Sequence, residues 1–285
     1  MKELIVISGK GGTGKTTLTA CFAFLSENTV LADCDVDAAD LHILVHPKIA
    51  HEEEFPGGVK ARIDHDKCVK CEACRDACRF KAISDAMDVD PLSCEGCGVC
   101  LHVCPEDAVT LEPQISGRWF ISETRFGPMV HASLFPGDEN SGRLVALVRN
   151  QAKVLARSRG LDLILVDGAP GVGCPVISSV TGADHVLIVT EPTLSGLHDM
   201  ERALTLVRGF RIPASVVINK IDINPLVAER IESLAAQTNT TFLGGIPYDA
   251  GVVRAMVQRR CVVEEPNGPA DRAIREVWER LKPLL

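Results

Sequence analysis

The chain has 285 residues and a net charge of −8, and it is 46% hydrophobic but only 4% aromatic. That acidic balance and the scarcity of rings weigh against nucleic-acid binding, which draws on basic patches and stacking platforms. The length allows one large domain or two modest ones, and no run reaches the ~20 apolar residues of a membrane span. Met1-Lys2-Glu3 leads straight into an apolar stretch with no secretory leader. Twelve cysteines in such a chain point to metal or redox chemistry in a cytoplasmic setting, not to disulfides.

Leu4-Ile5-Val6-Ile7 reads as a buried strand and Thr17 to Leu25 as an apolar helix. Between them, Gly9-Lys10-Gly11-Gly12-Thr13-Gly14-Lys15-Thr16 fits the phosphate-cradling loop, whose backbone N–H groups curl around a polyphosphate. Glycines keep side chains out of that curl. Lys15 supplies a cation for the β- and γ-phosphates, the Thr16 hydroxyl is a ligand for Mg²⁺, and the helix points its positive end at the phosphates. The nucleotide-binding set runs from Gly9 through Thr17.

Lys10 adds a second lysine early in the loop. Lys-Gly-Gly-Thr-Gly-Lys-Thr resembles the deviant loop of the MinD/ParA and nitrogenase iron-protein group. The resemblance implies an ATPase that dimerises face to face, with Lys10 reaching the nucleotide of the other chain. Thr29-Val30-Leu31-Ala32 is a second strand, ending in Asp33-Cys34-Asp35-Val36-Asp37, where α/β folds bind ligands. In the resembled group the second Asp of this motif acts near the Mg²⁺ and the attacking water, a role that maps to Asp35. Asp37 and Asp40 have weaker claims.

From about Gly57 to Pro113 the chain becomes cysteine-rich and repeats with an offset of 26 residues. Cys68, Cys71, Cys74 and Cys78 recur as Cys94, Cys97, Cys100 and Cys104. Two triplets, each with a distal cysteine, form the bacterial ferredoxin run, in which each fourth cysteine serves the other cluster. The spacing therefore assigns Cys68, Cys71, Cys74 and Cys104 to one 4Fe–4S cluster, and Cys94, Cys97, Cys100 and Cys78 to a second. The rival reading is a pair of zinc sites, which ordinarily present two spaced pairs of ligands. Cys104 is followed by Pro105 as the run expects, but Cys78 is followed by Arg79. This module, expected over 57–115 and inserted just after the Asp35 loop, divides the ATPase domain into 1–56 and 116–285.

Beyond it, Gly117 to Leu134 reads as a hairpin or sheet extension turning at Gly127-Pro128, and Gly142 to Arg157 as a helix. Leu161 to Asp167 is a buried strand ending in a carboxylate, so Asp167 is a Mg²⁺ ligand, directly or through water. In the resembled group the following Gly168 to Pro175 loop senses the γ-phosphate; Cys174 within it is either a small buried residue or a redox group. Strands follow at His185 to Glu191 and Ala214 to Lys220. Asn219-Lys220-Ile221-Asp222 has the spacing by which GTPases read guanine, while the MinD-like ATPases keep the Asn for adenine. The loop type favours ATP. Pro247 lies in a loop that flanks the base in that group. The last helix, Ala270 to Leu281, sets Ile274, Val277, Trp278 and Leu281 on one face, read as packing on the sheet; Glu276 and Glu279 disfavour a membrane surface.

The fold expected is α/β, a doubly wound and mostly parallel sheet with an inserted two-cluster ferredoxin module. The cofactors implied are ATP, Mg²⁺ and two 4Fe–4S clusters. The partners implied are a second copy of the chain and a redox or metallocofactor protein, with neither nucleic acid nor a membrane.

Overall fold

The computed structural model describes residues 1–136, 138, 142–265 and 268–285. The chain forms two compact units: Met1–Glu53 with Trp119–Ser133 and Asn140–Leu285, and Glu54–Arg118 with Leu134–Glu139.

The strands are β1 (Lys2–Ser8), β2 (Thr29–Asp33), β3 (Lys48–Ile63), β4 (Val109–Thr124), β5 (Gly127–Leu134), β6 (Leu163–Pro170), β7 (His185–Thr190), β8 (Ala214–Asn219) and β9 (Thr241–Ile246). They make a nine-stranded sheet in the order β3-β4-β5-β2-β6-β1-β7-β8-β9. β1 pairs in parallel with β6 and β7, β2 with β5 and β6, and β8 with β7 and β9. The chain leaves β1 for β2 on one side and later reaches β7 on the other. That reversal opens a crevice at the carboxyl end of β1, where open α/β sheets bind ligands and where the glycine-rich loop begins.

The helices of this unit are α1 (Lys15–Leu25), α2 (Leu41–Val45), α5 (Arg143–Arg159), α6 (Cys174–Val180), α7 (Leu194–Gly209), α8 (Pro225–Gln237), α9 (Ala250–Val257) and α10 (Pro269–Leu281). Leu4 and Val6 of β1 share a buried core with Leu18 and Phe22 of α1 and Ile274, Val277, Trp278 and Leu281 of α10. The Phe22 and Trp278 rings lie 4.9 Å apart. The apolar face of the last helix is thus spent on the core, as the sequence suggested. Alternation sends Ile5 and Ile7 to the opposite face of the sheet, and both are fully buried. α5 packs on β2 and β6, α6 on β6, and α7 on β7 and β1. Arg149 of α5 closes this layer with paired bonds to Glu3 at 2.9 and 2.7 Å. Among the described residues no helix is long and apolar enough to cross a membrane.

Two expectations need correction. The hairpin turns at Arg125 and Phe126, and Gly127-Pro128 opens β5; Thr124 Oγ1 donates to the Gly127 carbonyl and closes the turn one step earlier. The second unit is reached not from the loop after Asp35 but through α2 and then β3, and the chain returns by β4.

In the second unit the 26-residue repeat is visible in the backbone. It contains α3 (Ala73–Asp76) and α4 (Val99–Val103), each preceded by a left-handed residue, Glu72 at φ 66° and Gly98 at φ 77°. Asp64 N donates to the Ala108 carbonyl, and Asp90 N donates to the Ala82 carbonyl, both at 2.8 Å. Each half therefore bonds to the equivalent position of the other half, as two exchanged copies do.

Candidate nucleotide site and cysteine cavities

Gly14 starts α1 at φ +91°, and a Cβ there would lie 2.4 Å from Asn219 Nδ2. A Cβ on Gly9 would strike Asp199 of α7 at 2.3 Å. These two glycines let the loop pack against neighbouring elements. Asn219 at the end of β8 donates from Nδ2 to the Thr13 carbonyl at 2.8 Å, and its Oδ1 accepts from Lys220 N. The residue expected to read adenine thus also holds the loop, with one amide hydrogen left over. Asp222 Oδ1 accepts from Tyr248 N at 2.7 Å. The carboxylate that matched guanine recognition is tying down the loop containing Pro247, which lies half-buried.

The loop's cation and the two carboxylates meet. Lys15 Nζ lies 2.9 Å from Asp167 and 3.2 Å from Asp35. Burial alone would lower the Lys15 pKa, but Asp167 and Asp35 outweigh it and hold the ammonium above its usual value. Burial raises Asp35 despite the neighbouring lysine. Thr16 Oγ1 donates to Asp167 at 2.7 Å, and Thr19 Oγ1 donates to its other oxygen at 3.0 Å. Sequence reading passed over Thr19, although it lies one helical turn beyond Lys15. It also passed over Asp33, whose carboxyl is buried with Oδ2 unpartnered and pushed well up by burial and then by Asp167. The Thr16 hydroxyl and the two carboxylates of Asp35 and Asp167, gathered around Lys15, are hard oxygen donors of the kind Mg²⁺ takes.

Lys10 is half-exposed, its ammonium 3.1 Å from Ser195 Oγ and 3.8 Å from Glu191. Gly11 and Gly12 are exposed, Thr13 is buried, and Thr17 meets Met256 of α9 at 3.6 Å. Asp37 and Asp40 are exposed, as is Cys174 at the start of α6. Cys261 is buried in the core with Cys21.

In the second unit, one cavity is lined by Cys68, Cys71, Cys74 and Cys104 and another by Cys78, Cys94, Cys97 and Cys100. Among the described residues no three His, Cys, Asp or Glu side chains form a group suited to a single metal ion. The distal cysteines are equivalently placed: Ala82 N donates to Cys78 Sγ at 3.4 Å, and Ala108 N to Cys104 Sγ at 3.3 Å. Ala61 N adds a bond to Cys94 Sγ at 3.5 Å. Burial raises the thiols of Cys74 and Cys100. The donor set is soft and its walls are largely apolar, with Cys71 and Cys97 open to solvent, and such a set suits iron–sulfur ligation.

The profile described as the CobQ/CobB/MinD/ParA nucleotide binding domain matches residues 4–261. The chain belongs to this family. Members of the MinD/ParA family are nucleotide-binding ATPases. An uncharacterized protein of Methanocaldococcus jannaschii is 32% identical over 99% of this chain and 97% of its own length. An iron-sulfur cluster carrier protein of Pyrococcus horikoshii is 24% identical over 98% of this chain and 85% of its own. Among solved structures, the MinC:MinD cell division complex of Aquifex aeolicus matches with a TM-score of 0.60 at 19% identity, covering 99% of this chain and 96% of that one. That likeness is one of fold.

Proposed function

We propose that the protein is a Mg²⁺-ATP-hydrolysing switch whose nucleotide-dependent pairing governs electron transfer through two 4Fe–4S clusters to a partner protein. The observation that carries this reading is the lining of two separate cavities by the crossed cysteine quartets, in a chain of the MinD/ParA family. When bound, a 4Fe–4S cluster supplies a one-electron redox centre. Cys68, Cys71, Cys74 and Cys104 would hold one, and Cys94, Cys97, Cys100 and Cys78 the other.

Lys15 serves the β- and γ-phosphates, Thr16 and Asp167 serve Mg²⁺, and Asp35 serves the attacking water. Asp222 bound to Tyr248 N favours adenine over guanine, because that carboxylate already has a partner. Lys10 of each chain serves the nucleotide of the other. A second reading is cofactor assembly, favoured by the likeness to an iron-sulfur cluster carrier. Eight cysteines arranged as two complete quartets favour retention of clusters over their donation.

Cluster potentials measured anaerobically with ADP and with a non-hydrolysable ATP analogue separate the two. The electron-transfer reading expects potentials, or the rate of partner reduction, to depend on the nucleotide. A tenfold coupling in nucleotide affinity corresponds to about 60 mV for a one-electron couple. Indifference of both to nucleotide, with clusters passing to an acceptor apoprotein, would replace it by assembly.

A further inference from the structure

Glu191, just past β7, is not part of any phosphate or metal set described above, yet its carboxylate lies between two lysines. One oxygen faces Lys10 Nζ at 3.8 Å, and the other faces Lys220 Nζ. Its side chain is only 14% exposed, so it is not a freely solvated acid. Lys220 follows Asn219, which in turn holds the Thr13 carbonyl. Lys220 itself sits at φ 54°, a conformation that costs energy for a residue with a Cβ. The connections close a ring: Lys10 to Glu191, Glu191 to Lys220, Lys220 through Asn219 to Thr13, and Thr13 back along the loop to Lys10. Ser195 Oγ adds a second hold on Lys10 at 3.1 Å.

We propose that Glu191, with Ser195, is a latch that holds Lys10 within its own chain and thereby sets how readily two chains pair over nucleotide. This rests on the reading of Lys10 as the lysine that serves the other chain. A lysine ammonium is a point charge on a flexible stem, so it can leave Glu191 for a phosphate oxygen without backbone rearrangement. Glu191 and the phosphates of the second chain compete for one cation. Lys220 remains behind to neutralise the carboxylate once Lys10 has gone, which keeps the cost of release small. Glu191 is a positioning residue, acting on Lys10 and not on substrate.

The test uses the full chain, as wild type, Glu191→Gln, Ser195→Ala and Lys10→Ala. Reductive methylation of Lys10, followed by mass spectrometry without nucleotide, reads the latch directly. Sedimentation with ADP or with Mg²⁺ and a non-hydrolysable ATP analogue reads pairing. Glu191→Gln should speed Lys10 labelling and move the protein concentration for pairing down by about 2- to 30-fold, because each pairing of two chains breaks two such contacts, each of the size of a partly exposed ion pair. Ser195→Ala should move both in the same direction by less, and covers the case in which Glu191→Gln folds poorly. Unchanged labelling and unchanged pairing in both variants would overturn the latch. Wild type that stays monomeric with the analogue would instead sink the pairing role of Lys10, while the labelling rates still judge the contact.

Discussion

In the nucleotide unit, Leu4 to Ile7 of β1, Ile164 to Val166 of β6 and Val186 to Ile188 of β7 are fully buried aliphatics, covered by helices. In the cysteine unit the buried core comprises Ala61, Ile63, Ala82, Ile83, Met87, Val109 and three cysteines, Cys74, Cys94 and Cys100. The first core is complete in itself. The second is small, and a third of it consists of cysteines. A unit of roughly 70 residues rarely stabilises itself on apolar burial alone and ordinarily needs a metal or disulfide staple. None of the twelve cysteines forms a disulfide, so the staple falls to whatever the two quartets hold. Stability of the nucleotide unit should be indifferent to iron, and that of the cysteine unit should not.

The largest expected effect follows from removing iron with a chelator under anaerobic conditions. Because metal binding to such a unit is also folding free energy, amide protection should collapse between Ala61 and Leu111 while β1, β6 and β7 stay protected. Equal retention in both units would erase the contrast. A smaller and opposite effect is expected at Arg149. Its guanidinium bonds Glu3 and the carbonyls of Ser178 and Thr181. Arg149→Ala leaves the buried Glu3 carboxylate, among the described residues, with Lys153 at 3.0 Å as its remaining cation and should cost about 3–5 kcal/mol. Urea unfolding followed by tryptophan fluorescence would register it, with the iron content of native protein unchanged.

Smaller still is a pH effect confined to the nucleotide unit. His185, buried beside Ser215, has its pKa lowered by burial to about 4. The unfolded chain takes up this proton near pH 6.5, and the folded chain only near 4. Stability from the neutral imidazole is therefore full above 6.5 and falls as the pH drops toward 4, by on the order of 3 kcal/mol at most. His185→Gln should flatten the stability profile in that window relative to wild type; parallel profiles would contradict the assignment.

Much of this was legible in the chain itself. The strand, glycine loop and helix around Lys15 are local in sequence, and so is the repeat that sets Cys68 against Cys94. The meeting of Thr16 with Asp167 was readable because phosphate-loop chemistry requires a carboxylate at the end of a neighbouring strand. Thr19, Asp33 and Glu191 were not readable, since each gains its role from a contact made across the sheet or from burial. The turn at Arg125-Phe126 was missed because Gly127-Pro128 carries the stronger local turn signal, which the Thr124 side chain pre-empts. The route through β3 was missed because its exposed run, His51-Glu52-Glu53-Glu54, lacks the alternation that marks a half-buried strand.

The central claim is the crossing of the two quartets, and paired substitutions test it most directly. Anaerobically prepared wild type should carry about eight irons per chain, and Cys104→Ala about four. If Cys104 serves the cluster of Cys71, the double variant Cys71→Ala/Cys104→Ala should still retain about four irons, while Cys97→Ala/Cys104→Ala should retain almost none. The reverse pattern would contradict the crossed assignment, and two zinc ions with no reducible iron in wild type would contradict the clusters themselves.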